Sequence, residues 1–280
     1  MNAINLNHSD TPTTPRIFIT GDCHARFEKF STANFPTQKD LTKDDYVIIC
    51  GDFGGVWHKD TESKEEKFWM NWLEEKPFTT LFVDGNHENF DRLYAYPAEE
   101  WNSGKVHKIR PSVIHLMRGQ VFELAGKKIF TFGGASSHDI SGGILDPDNS
   151  DYYEKQYRLR RMGALFRVNH YSWWKEELPS EEEMEEGLRN LAKHNNQVDY
   201  IISHCCPSSV QNLFGAGLFT PDKLTDYFDE IRNSVTYDKW FFGHYHDNRS
   251  IDNKHKLLYG YIINAESCDK DLYHTSIFKR

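Results

Sequence analysis

Five short apolar segments each end in a small polar cluster, and this repeated arrangement constrains the fold more than any other feature. The segments are rich in residues that favour strands, and acidic, amide or imidazole side chains follow each of them. In chain order they are RIFIT before Gly21-Asp22-Cys23-His24, YVIIC before Gly51-Asp52, TLFVD before Gly85-Asn86-His87-Glu88, DYIIS before His204, and KWFF before Gly243-His244-Tyr245-His246. The sequence therefore predicts a sheet that gathers these polar side chains along one rim.

Seven side chains of these clusters are candidate metal ligands: Asp22, His24, Asp52, Asn86, His204, His244 and His246. Carboxylate, imidazole and amide donors suit divalent Mn, Fe, Zn or Ni, among which we favour Mn. Hydrolysis of a phosphoester needs a hydroxide and stabilisation of the leaving oxygen, and two cations about 3.5–4 Å apart meet both needs. The pattern predicts a two-metal hydrolase in which His87, beside Asn86, is free to act on the substrate.

The charge of the predicted site differs from that of the whole chain. The formal net charge is −9, so no global field attracts a nucleic acid or an anionic membrane. At the site, two dications would face only two carboxylates, Asp22 and Asp52, which leaves a positive centre. A small or nucleotide-like phosphoester is therefore the expected partner, and a nucleic acid is less favoured.

Length and composition predict a globular protein without a membrane span. A chain of 280 residues can bury a full core, and it contains no apolar run of about 18 residues. Residues 1–15 read as a disordered polar tail rather than a secretory signal. Five cysteines without a framework spacing predict reduced thiols, with thiolate ligation as the alternative. We expect a cytoplasmic protein with a single domain over residues 16–280, and the sequence leaves the oligomeric state open.

Helical periodicity separates several of the strands, which favours a layered α/β fold. Further predicted elements are helices over 62–76, 180–194 and 221–233 and strands over 113–132 and 257–264. The second helix is expected to begin with a capping box between Ser180 and Glu183. The third is expected to have Pro221 at its first helical position. Residues 113–132 read as consecutive antiparallel strands.

Residues 133–175 interrupt this alternation. A portion rich in Gly, Ser and Asp comes first, and a basic portion with Arg158, Arg160, Arg161 and Arg167 follows, ending at Trp173-Trp174. A segment of this length inside a compact domain usually has a function or a fold of its own. We therefore predict an insertion that covers the metal site as a cap, in which the two tryptophans either stack on a base or pack in the core or in a lid.

Several residues outside the ligand clusters are candidate substrate contacts. His138 and Asp139 are placed to contact substrate, and the alternative is a loop whose Asp bonds its own backbone. Arg158, Arg160 and Arg161 are candidates for a phosphate or nucleotide clamp, and the alternative is a solvated basic helix. Arg26 either reaches a phosphate oxygen or lies at the surface.

The motifs GDCHA, GDFGG, GNHE, SH and GHYH resemble the signature series of the calcineurin-like metallophosphoesterase superfamily over residues 16–265. The resemblance implies a four-layer αββα sandwich of two mixed β-sheets flanked by helices, with a dinuclear metal site at the C-terminal ends of the strands. It implies a first metal held by Asp22, His24, Asp52 and His246, and a second held by Asp52 as a bridge with Asn86, His204 and His244. His87 would be the general acid, and a metal-bridging hydroxide would be the nucleophile.

The chain departs from the patterns of the superfamily at three positions. Its protein Ser/Thr phosphatases carry an Asp three residues after the bridging Asp, followed by a phosphate-binding Arg, whereas this chain has Gly55 and Val56. The usual Gly after His24 is replaced by Ala25. These departures from the phosphatase pattern therefore favour a phosphodiester or phosphomonoester of a small molecule as the substrate, rather than a phosphoprotein.

Four functions remain to be separated. The leading hypothesis is a metal-dependent phosphoesterase that acts on a small or nucleotide-like phosphoester, with a phosphodiester as the first choice. The alternatives are a phosphoprotein phosphatase, a single-strand nuclease and a non-catalytic scaffold with the same fold. Loss of ligands would mark a scaffold, and all seven candidate ligands are present.

Overall fold

A computed structural model describes residues 14–268 and 272–273 of the chain. The predicted tail, residues 1–15, lies outside the described residues except at its last two positions. The helices are α1 (Lys64–Glu74), α2 (Phe90–Leu93), α3 (Tyr152–Met162), α4 (Glu181–Lys193), α5 (Ser208–Gly215) and α6 (Lys223–Ser234). The strands are β1 (Ile17–Thr20), β2 (Tyr46–Ile49), β3 (Thr79–Phe82), β4 (Ala98–Trp101), β5 (Gly104–Arg110), β6 (Val113–Leu116), β7 (Gln120–Leu124), β8 (Lys127–Phe132), β9 (Ile144–Leu145), β10 (Arg167–Val168), β11 (Tyr200–Ser203), β12 (Lys239–Phe242), β13 (Arg249–Ser250), β14 (His255–Leu257), β15 (Ile262–Asn264) and β16 (Leu272–Tyr273).

Eight strands form the first sheet, in the order β16-β15-β1-β2-β3-β6-β5-β4. Its centre is parallel, and Ile19 of β1 lies beside Ile48 of β2, which lies beside Leu81 of β3. All three side chains are fully buried, as expected for parallel strands that are covered on both faces. β15 and β5 pair antiparallel with the central strands, which makes the sheet mixed.

Six strands form the second sheet, in the order β13-β14-β12-β11-β8-β7. β14, β12, β11 and β8 are parallel, so Ile202 of β11 lies between Phe241 of β12 and Thr131 of β8. β13 and β7 pair antiparallel at the two edges. Both sheets thus have a parallel centre whose strands end on the same side as their neighbours.

The two sheets pack face to face between two layers of helices. Ile19 and Leu81 of the first sheet share one buried core cluster with Ile202 and Phe241 of the second. A second cluster joins α4 and α6 to the outer face of the second sheet, and a third joins α1 to the outer face of the first. The predicted four-layer αββα sandwich is confirmed.

Helix starts follow the sequence only in part. The Ser180 hydroxyl accepts from the Glu183 amide at 3.2 Å, and the Glu183 carboxylate accepts from the Ser180 amide at 2.8 Å, so the predicted capping box of α4 is confirmed. The prediction for Pro221 is wrong. The N-cap of α6 is Asp222, whose carboxylate accepts from two backbone amides, and Pro221 precedes it. An Asp at this position satisfies free amides directly, which a Pro at the first position would not do.

Two strand predictions are wrong, because each treats residues of two different sheets as one unit. β6 lies in the first sheet, whereas β7 and β8 form an antiparallel hairpin in the second, so residues 113–132 are not one antiparallel run. Residues 257–264 likewise divide between β14 in the second sheet and β15 in the first. Both errors have the same cause, because an apolar pattern marks a strand without specifying its partners.

The predictions about membranes and thiols can be compared with the described residues. None of the helices there is long and apolar enough to span a membrane. All five cysteines are buried, and none of them forms a disulfide within the described residues. Burial raises the pKa of the Cys23 thiol, inside the first ligand motif, to about 11. This opposes the thiolate form that metal ligation requires.

Residues 133–175 contain β9, α3 and β10, and β9 pairs with β10 in a small parallel sheet. At the end of the segment, Trp174 is 1% exposed. Its ring centroid lies 5.7 Å from that of Trp57, and its indole nitrogen donates to Asp91 at 2.7 Å. Trp174 therefore packs inside the protein, as the alternative of core or lid packing predicted.

Candidate metal centre

The candidate ligands lie just beyond the carboxyl ends of five strands, three in the first sheet and two in the second. Asp22, Asp52 and Asn86 follow β1, β2 and β3, while His204 and His244 follow β11 and β12. Parallel strands place their carboxyl ends at one edge, and here the edges of the two sheets meet. The structure thus brings residues that are distant in sequence to one place between the sheets.

The backbone at several of these positions is unusual. His24, Asp52, His244 and His246 have φ values of +47°, +45°, +69° and +50°, although none of them is a glycine. Side chains other than glycine avoid this left-handed region, and residues held there cluster at functional sites. The left-handed backbone conformation in the turns after β1, β2 and β12 therefore costs some stability, and it orients these side chains.

One ligand cluster contains Asp22, His24, Asp52 and His246, whose donor atoms all lie within 4.8 Å of one another. The Nε2 atoms of His24 and His246 are 3.0 Å apart. His246 Nε2 is 3.1 Å from Asp22 Oδ2, and His24 Nε2 is 3.7 Å from Asp52 Oδ2. Two carboxylates and two imidazoles converging in this way can hold a divalent cation.

A second cluster contains Asp52, His204 and His244, whose donor atoms also lie within 4.8 Å of one another. His204 Nε2 is 3.3 Å from Asp52 Oδ1 and 3.3 Å from the amide oxygen of Asn86. Asp52 belongs to both clusters, and the two contacts use different oxygens of its carboxylate. A carboxylate in this position can link two neighbouring cations.

Two details of the donor set fit metal binding rather than internal pairing. Asp22 Oδ2 is buried and has no hydrogen-bond partner among the described residues, although His246 Nε2 lies 3.1 Å from it. The Nδ1 atom of His204 donates to the Cys50 carbonyl at 2.7 Å. In a neutral ring this leaves the Nε2 lone pair free for a metal.

Glycines next to the ligands make room for ligands from neighbouring strands. A Cβ at Gly85 would lie 2.1 Å from Asp52 Oδ1, and a Cβ at Gly243 would lie 2.2 Å from Asp22 Oδ1. Both distances are far below van der Waals contact, so any side chain there would displace a carboxylate. The absence of a side chain at these two glycines therefore allows the carboxylates of Asp52 and Asp22 to occupy their positions in the centre.

The buried charges of the centre depend on one another. Burial alone would raise the pKa of Asp22, but the side chains of His24 and His246 outweigh it and hold that pKa well below its usual value. Burial lowers the pKa of His204, but the charge and hydrogen bond of Asp52 raise it to about 9. A cation that binds His204 must displace this proton, so metal binding should weaken as the pH falls.

His87 lies beside both clusters without belonging to either. Its backbone amide donates to Asp52 Oδ1 at 2.8 Å, which fixes it against the shared carboxylate. Its ring stacks on Trp57, with centroids 5.9 Å apart and planes 27° apart. Burial lowers the pKa of His87, and the positive charge of Arg167 lowers it further.

Arg167 is the neighbour of His87 that the sequence reasoning did not select. Its Nη2 atom lies 3.1 Å from His87 Nε2, and the residue is only 9% exposed. Asp139 holds the guanidinium through contacts of 2.8 Å to Nε and 2.7 Å to Nη2. Arg167 belongs to the basic portion of 133–175, but charge alone could not separate it from the three arginines of α3.

The other candidate substrate contacts divide into two groups. His138 and Asp139 reach the centre, and His138 Nε2 is 2.7 Å from His244 Nε2. They line a cavity of about 280 Å³ over the ligands, together with His24, Asp52, Asn86, His87, Arg167, His244 and His246. Arg26, Arg158 and Arg161 are exposed and are not among the residues that line this cavity. A substrate role for these three stays a prediction.

The fold and the clustered ligands match a known family. The sequence profile of the calcineurin-like phosphoesterases matches residues 15–248, and the chain belongs to that family. This confirms the resemblance that the five motifs indicated.

Three relatives illustrate how far the similarity extends. Lariat debranching enzyme A of Xenopus laevis is 26% identical over 160 residues, which cover 52% of this chain and 29% of the relative. Lariat debranching enzyme of Danio rerio is 25% identical over 165 residues, or 54% and 28% of the two chains. That of Caenorhabditis briggsae is 24% identical over 238 residues, or 78% and 41%. The chain thus spans less than half the length of these relatives.

Proposed function

We propose that this protein is a metal-dependent phosphoesterase that cleaves a small or nucleotide-like phosphodiester. The observation that carries the proposal is the pair of ligand clusters that share Asp52, with His87 beside them. Asp22, His24, Asp52 and His246 would hold one divalent cation, and Asp52, Asn86, His204 and His244 would hold the other. Bound cations would supply an activated water and offset the charge of the phosphoryl oxygens.

His87 is the proposed general acid. It lies at the wall of the cavity above the ligands, where a leaving oxygen would be within its reach. Asp52 holds its backbone, and Trp57 limits rotation of its ring. A proton on Nε2 would pass to the leaving oxygen as the ester bond breaks.

Arg167 is proposed to bind the phosphoryl group. Its Nη2 atom faces His87 Nε2. A phosphoryl oxygen is a stronger acceptor for a guanidinium than a neutral imidazole, so substrate would draw this contact away from His87. Asp139 keeps the guanidinium in place during the exchange. The pair Asp139–Arg167 thus takes the place of the Asp and Arg that are absent at Gly55 and Val56.

The segment 133–175 is proposed to act as a cap over the centre within a single domain that spans residues 16–280. It supplies His138, Asp139 and Arg167 to the cavity wall, and Trp174 anchors it against Trp57. A cap of this kind restricts the space above the ligands, which favours small substrates over the surface of a phosphoprotein. A cytoplasmic location also remains a proposal.

The second candidate function is cleavage of a nucleic acid. It is favoured by the similarity to proteins named lariat debranching enzymes. It is opposed by the formal charge of −9, since affinity for a polyanion depends largely on basic contacts.

The proposal can be tested with metal-free protein that is then loaded with Mn²⁺. We expect turnover of bis-p-nitrophenyl phosphate, and we expect Asp52→Asn to abolish it because both clusters lose the shared carboxylate. Asp60→Asn is the matched control, since Asp60 is exposed and lies outside both clusters. Undiminished turnover in Asp52→Asn, or no turnover of this diester and of p-nitrophenyl phosphate, would contradict the proposal.

A substrate panel then separates the alternatives. Dinucleotides, cyclic nucleotides, phosphopeptides and short single-stranded oligonucleotides should be compared by kcat/KM under the same metal loading. We expect dinucleotides or cyclic nucleotides to be preferred. A preference for phosphopeptides would support the phosphatase alternative, and salt-sensitive cleavage of oligonucleotides would support the nuclease.

A further inference from the structure

A second cavity, of about 240 Å³, opens beside the metal centre. We call it the aromatic pocket and define it by Phe27, Gly54, Gly55, Trp57, Ser63 and Trp69. His24 and His87 line both this pocket and the cavity above the ligands. The two spaces are therefore adjacent, and one molecule can occupy both.

The walls of the aromatic pocket are fixed by buried hydrogen bonds. The Glu66 carboxylate accepts from the backbone amides of Trp57 at 2.6 Å, His58 at 2.9 Å and Ser63 at 2.6 Å. The Asn89 amide donates to the carbonyls of Trp57 and His58 at 3.2 and 2.9 Å. The loop that carries Trp57 is thus held in one conformation, and the pocket exists before any ligand arrives.

The pocket differs from the metal centre in charge. The residues described along its walls include no Lys or Arg. Its two acidic residues are Glu65, which is exposed, and Glu66, which is ion-paired with Arg92 at 2.8 Å. A phosphate or carboxylate would meet no cationic side chain on these walls and would lie near the Glu65 carboxylate. A flat, neutral ring that carries N–H donors would meet indole faces and that carboxylate acceptor instead.

Tryptophan rings are the surfaces on which nucleic acid bases stack. Trp57 and Trp69 are both only half-buried, so part of each indole is available to a ligand. Trp69 packs edge-on against the buried Phe27, with centroids 5.7 Å apart. Stacking on such rings requires no particular base, because every base presents a flat π face.

We propose that the aromatic pocket binds a nucleobase of the substrate, whose phosphodiester lies at the neighbouring metal centre. The inference rests on the proposed phosphoesterase function and narrows its substrate class to nucleotide esters. The base supplies a neutral flat ring, and the sugar spans the boundary at His24 and His87. The glycines at 54 and 55 leave backbone rather than side chains along that path.

The first test is binding of a nucleoside, which has the base and sugar but no phosphate. Calorimetric titration of metal-free protein with adenosine or thymidine is expected to show saturable binding, and titration with ribose is expected to show none. This measurement needs neither metal nor catalysis. Absence of saturable nucleoside binding up to the solubility limit would overturn the proposal.

The second test uses a matched pair of variants. Trp69→Leu removes a pocket wall, whereas Trp101→Leu removes a half-buried indole on β4 that does not line the pocket. Nucleoside affinity is expected to fall about 5- to 100-fold in the first, the loss caused by removing one stacking ring, and to be unchanged in the second. Circular dichroism melting identifies a variant that fails to fold, and the titration of the wild-type protein still decides in that case.

The third test compares a dinucleoside monophosphate with its abasic counterpart in the Mn²⁺-loaded enzyme. Their ratio of kcat/KM is expected to favour the base-bearing ester and to shrink in Trp69→Leu. Nucleoside binding without cleavage of either ester would refute the phosphoesterase and leave the pocket standing. Equal cleavage of both esters without nucleoside binding would refute the pocket and leave the phosphoesterase standing.

Discussion

At the scale of single residues, Arg167 shows how a side chain far from the ligand motifs in sequence can lie beside the candidate site. Its guanidinium is buried, paired with Asp139 and in contact with His87. A cationic group that is fixed in this way is preorganised to stabilise negative charge on a bound substrate. No sequence motif is needed for this, since β10 places the residue through the pairing of a two-residue strand.

Removal of Arg167 should affect turnover more than stability. In Arg167→Met we expect kcat/KM for the diester to fall about 100- to 1,000-fold, the usual loss when one preorganised donor to developing charge is removed. Asp139→Asn should lower it less, about tenfold, because the guanidinium remains while its anchor weakens. Steady-state kinetics of the Mn²⁺-loaded variants provides the measurement.

Other arginines serve as comparisons for that experiment. Arg189→Met removes an exposed guanidinium on α4 that does not line the cavity over the ligands, and it should leave kcat/KM unchanged. Arg158→Met, Arg160→Met and Arg161→Met test the prediction of a phosphate or nucleotide clamp made from the sequence. An Arg167→Met enzyme that matches Arg189→Met would show that Arg167 does not contact the substrate.

His107 should make the protein sensitive to acid at a place away from the metal centre. It is 4% exposed, and its Nδ1 atom lies 3.0 Å from His115 Nδ1. Burial lowers the pKa of His107 to about 4, and His115 contributes to this. In the unfolded chain the His107 imidazole therefore becomes protonated near pH 6.5, whereas in the folded protein it becomes protonated only near pH 4.

Acid should therefore destabilise the protein through this imidazole. The free energy of unfolding should fall as the pH drops from about 6.5 to about 4, by up to about 3 kcal/mol from this one group. His107→Gln should remove that part of the loss, so the variant should be less acid-sensitive than the wild type. Denaturant melts at pH 7 and pH 5 give the comparison, and identical pH dependence in the two proteins would contradict it.

At the scale of elements, the ends of the strands fit together only because glycines stand beside the ligands. β12 ends next to Gly243, where a Cβ would meet both Asp22 and the Cys50 carbonyl from two other strand ends. The amide of His244 then donates to Asp22 Oδ1 at 2.9 Å. The carboxyl ends of β1, β2 and β12 thus contact one another at this point.

Gly243→Ala should weaken metal binding by breaking this contact. The new Cβ would displace Asp22 Oδ1, so we expect Mn²⁺ affinity to fall about 10- to 100-fold, as when a partner that orients a ligand is lost. Calorimetric titration of the metal-free variant gives the affinity.

Gly126→Ala is the control for that substitution. Gly126 has a φ of +74° in the β7–β8 turn, but a Cβ added there would have no described neighbour within 4 Å. Its replacement should cost stability through backbone strain and leave the Mn²⁺ affinity unchanged. Equal losses of affinity in the two variants would contradict the role given to Gly243.

The start of a helix could be predicted where residues close in sequence specify it. The sheet to which a strand belongs could not be predicted, because it depends on partners that are distant in sequence. Ser180 and Glu183 lie three residues apart, so the start of α4 could be predicted from sequence. Residues 257–264 could not be divided between two sheets, because the division depends on the strands beside Leu257 and Ile262.

The candidate site shows the same limit. The five motifs contain every residue of the two clusters, because each motif follows its own strand. Arg167 and the aromatic pocket could not be identified, because they arise where residues 133–175 and the loop before α1 approach the centre. Tertiary contacts of that kind have no periodicity in the sequence.

At the scale of the whole molecule, the metal centre lies at the junction of the two sheets. Asp22, Asp52 and Asn86 come from the first sheet, and His204 and His244 come from the second. A cation that binds both groups therefore links the two sheets at their carboxyl ends, in addition to the apolar core between them. Without a cation, the buried carboxylates and imidazoles can offset one another only in part.

Metal should consequently stabilise the entire fold. When free Mn²⁺ is about 100 times its dissociation constant, the free energy of unfolding should rise by about 2.7 kcal/mol per site. For a chain of this size that corresponds to a rise in Tm of roughly 5–10 °C. Asp52→Asn should lose most of this shift, because it removes the carboxylate common to both clusters, whereas Asp60→Asn should retain it. Thermal melts of metal-free protein with and without Mn²⁺ provide the measurement, and a shift of equal size in Asp52→Asn would mean that Mn²⁺ binds somewhere other than the junction of the sheets.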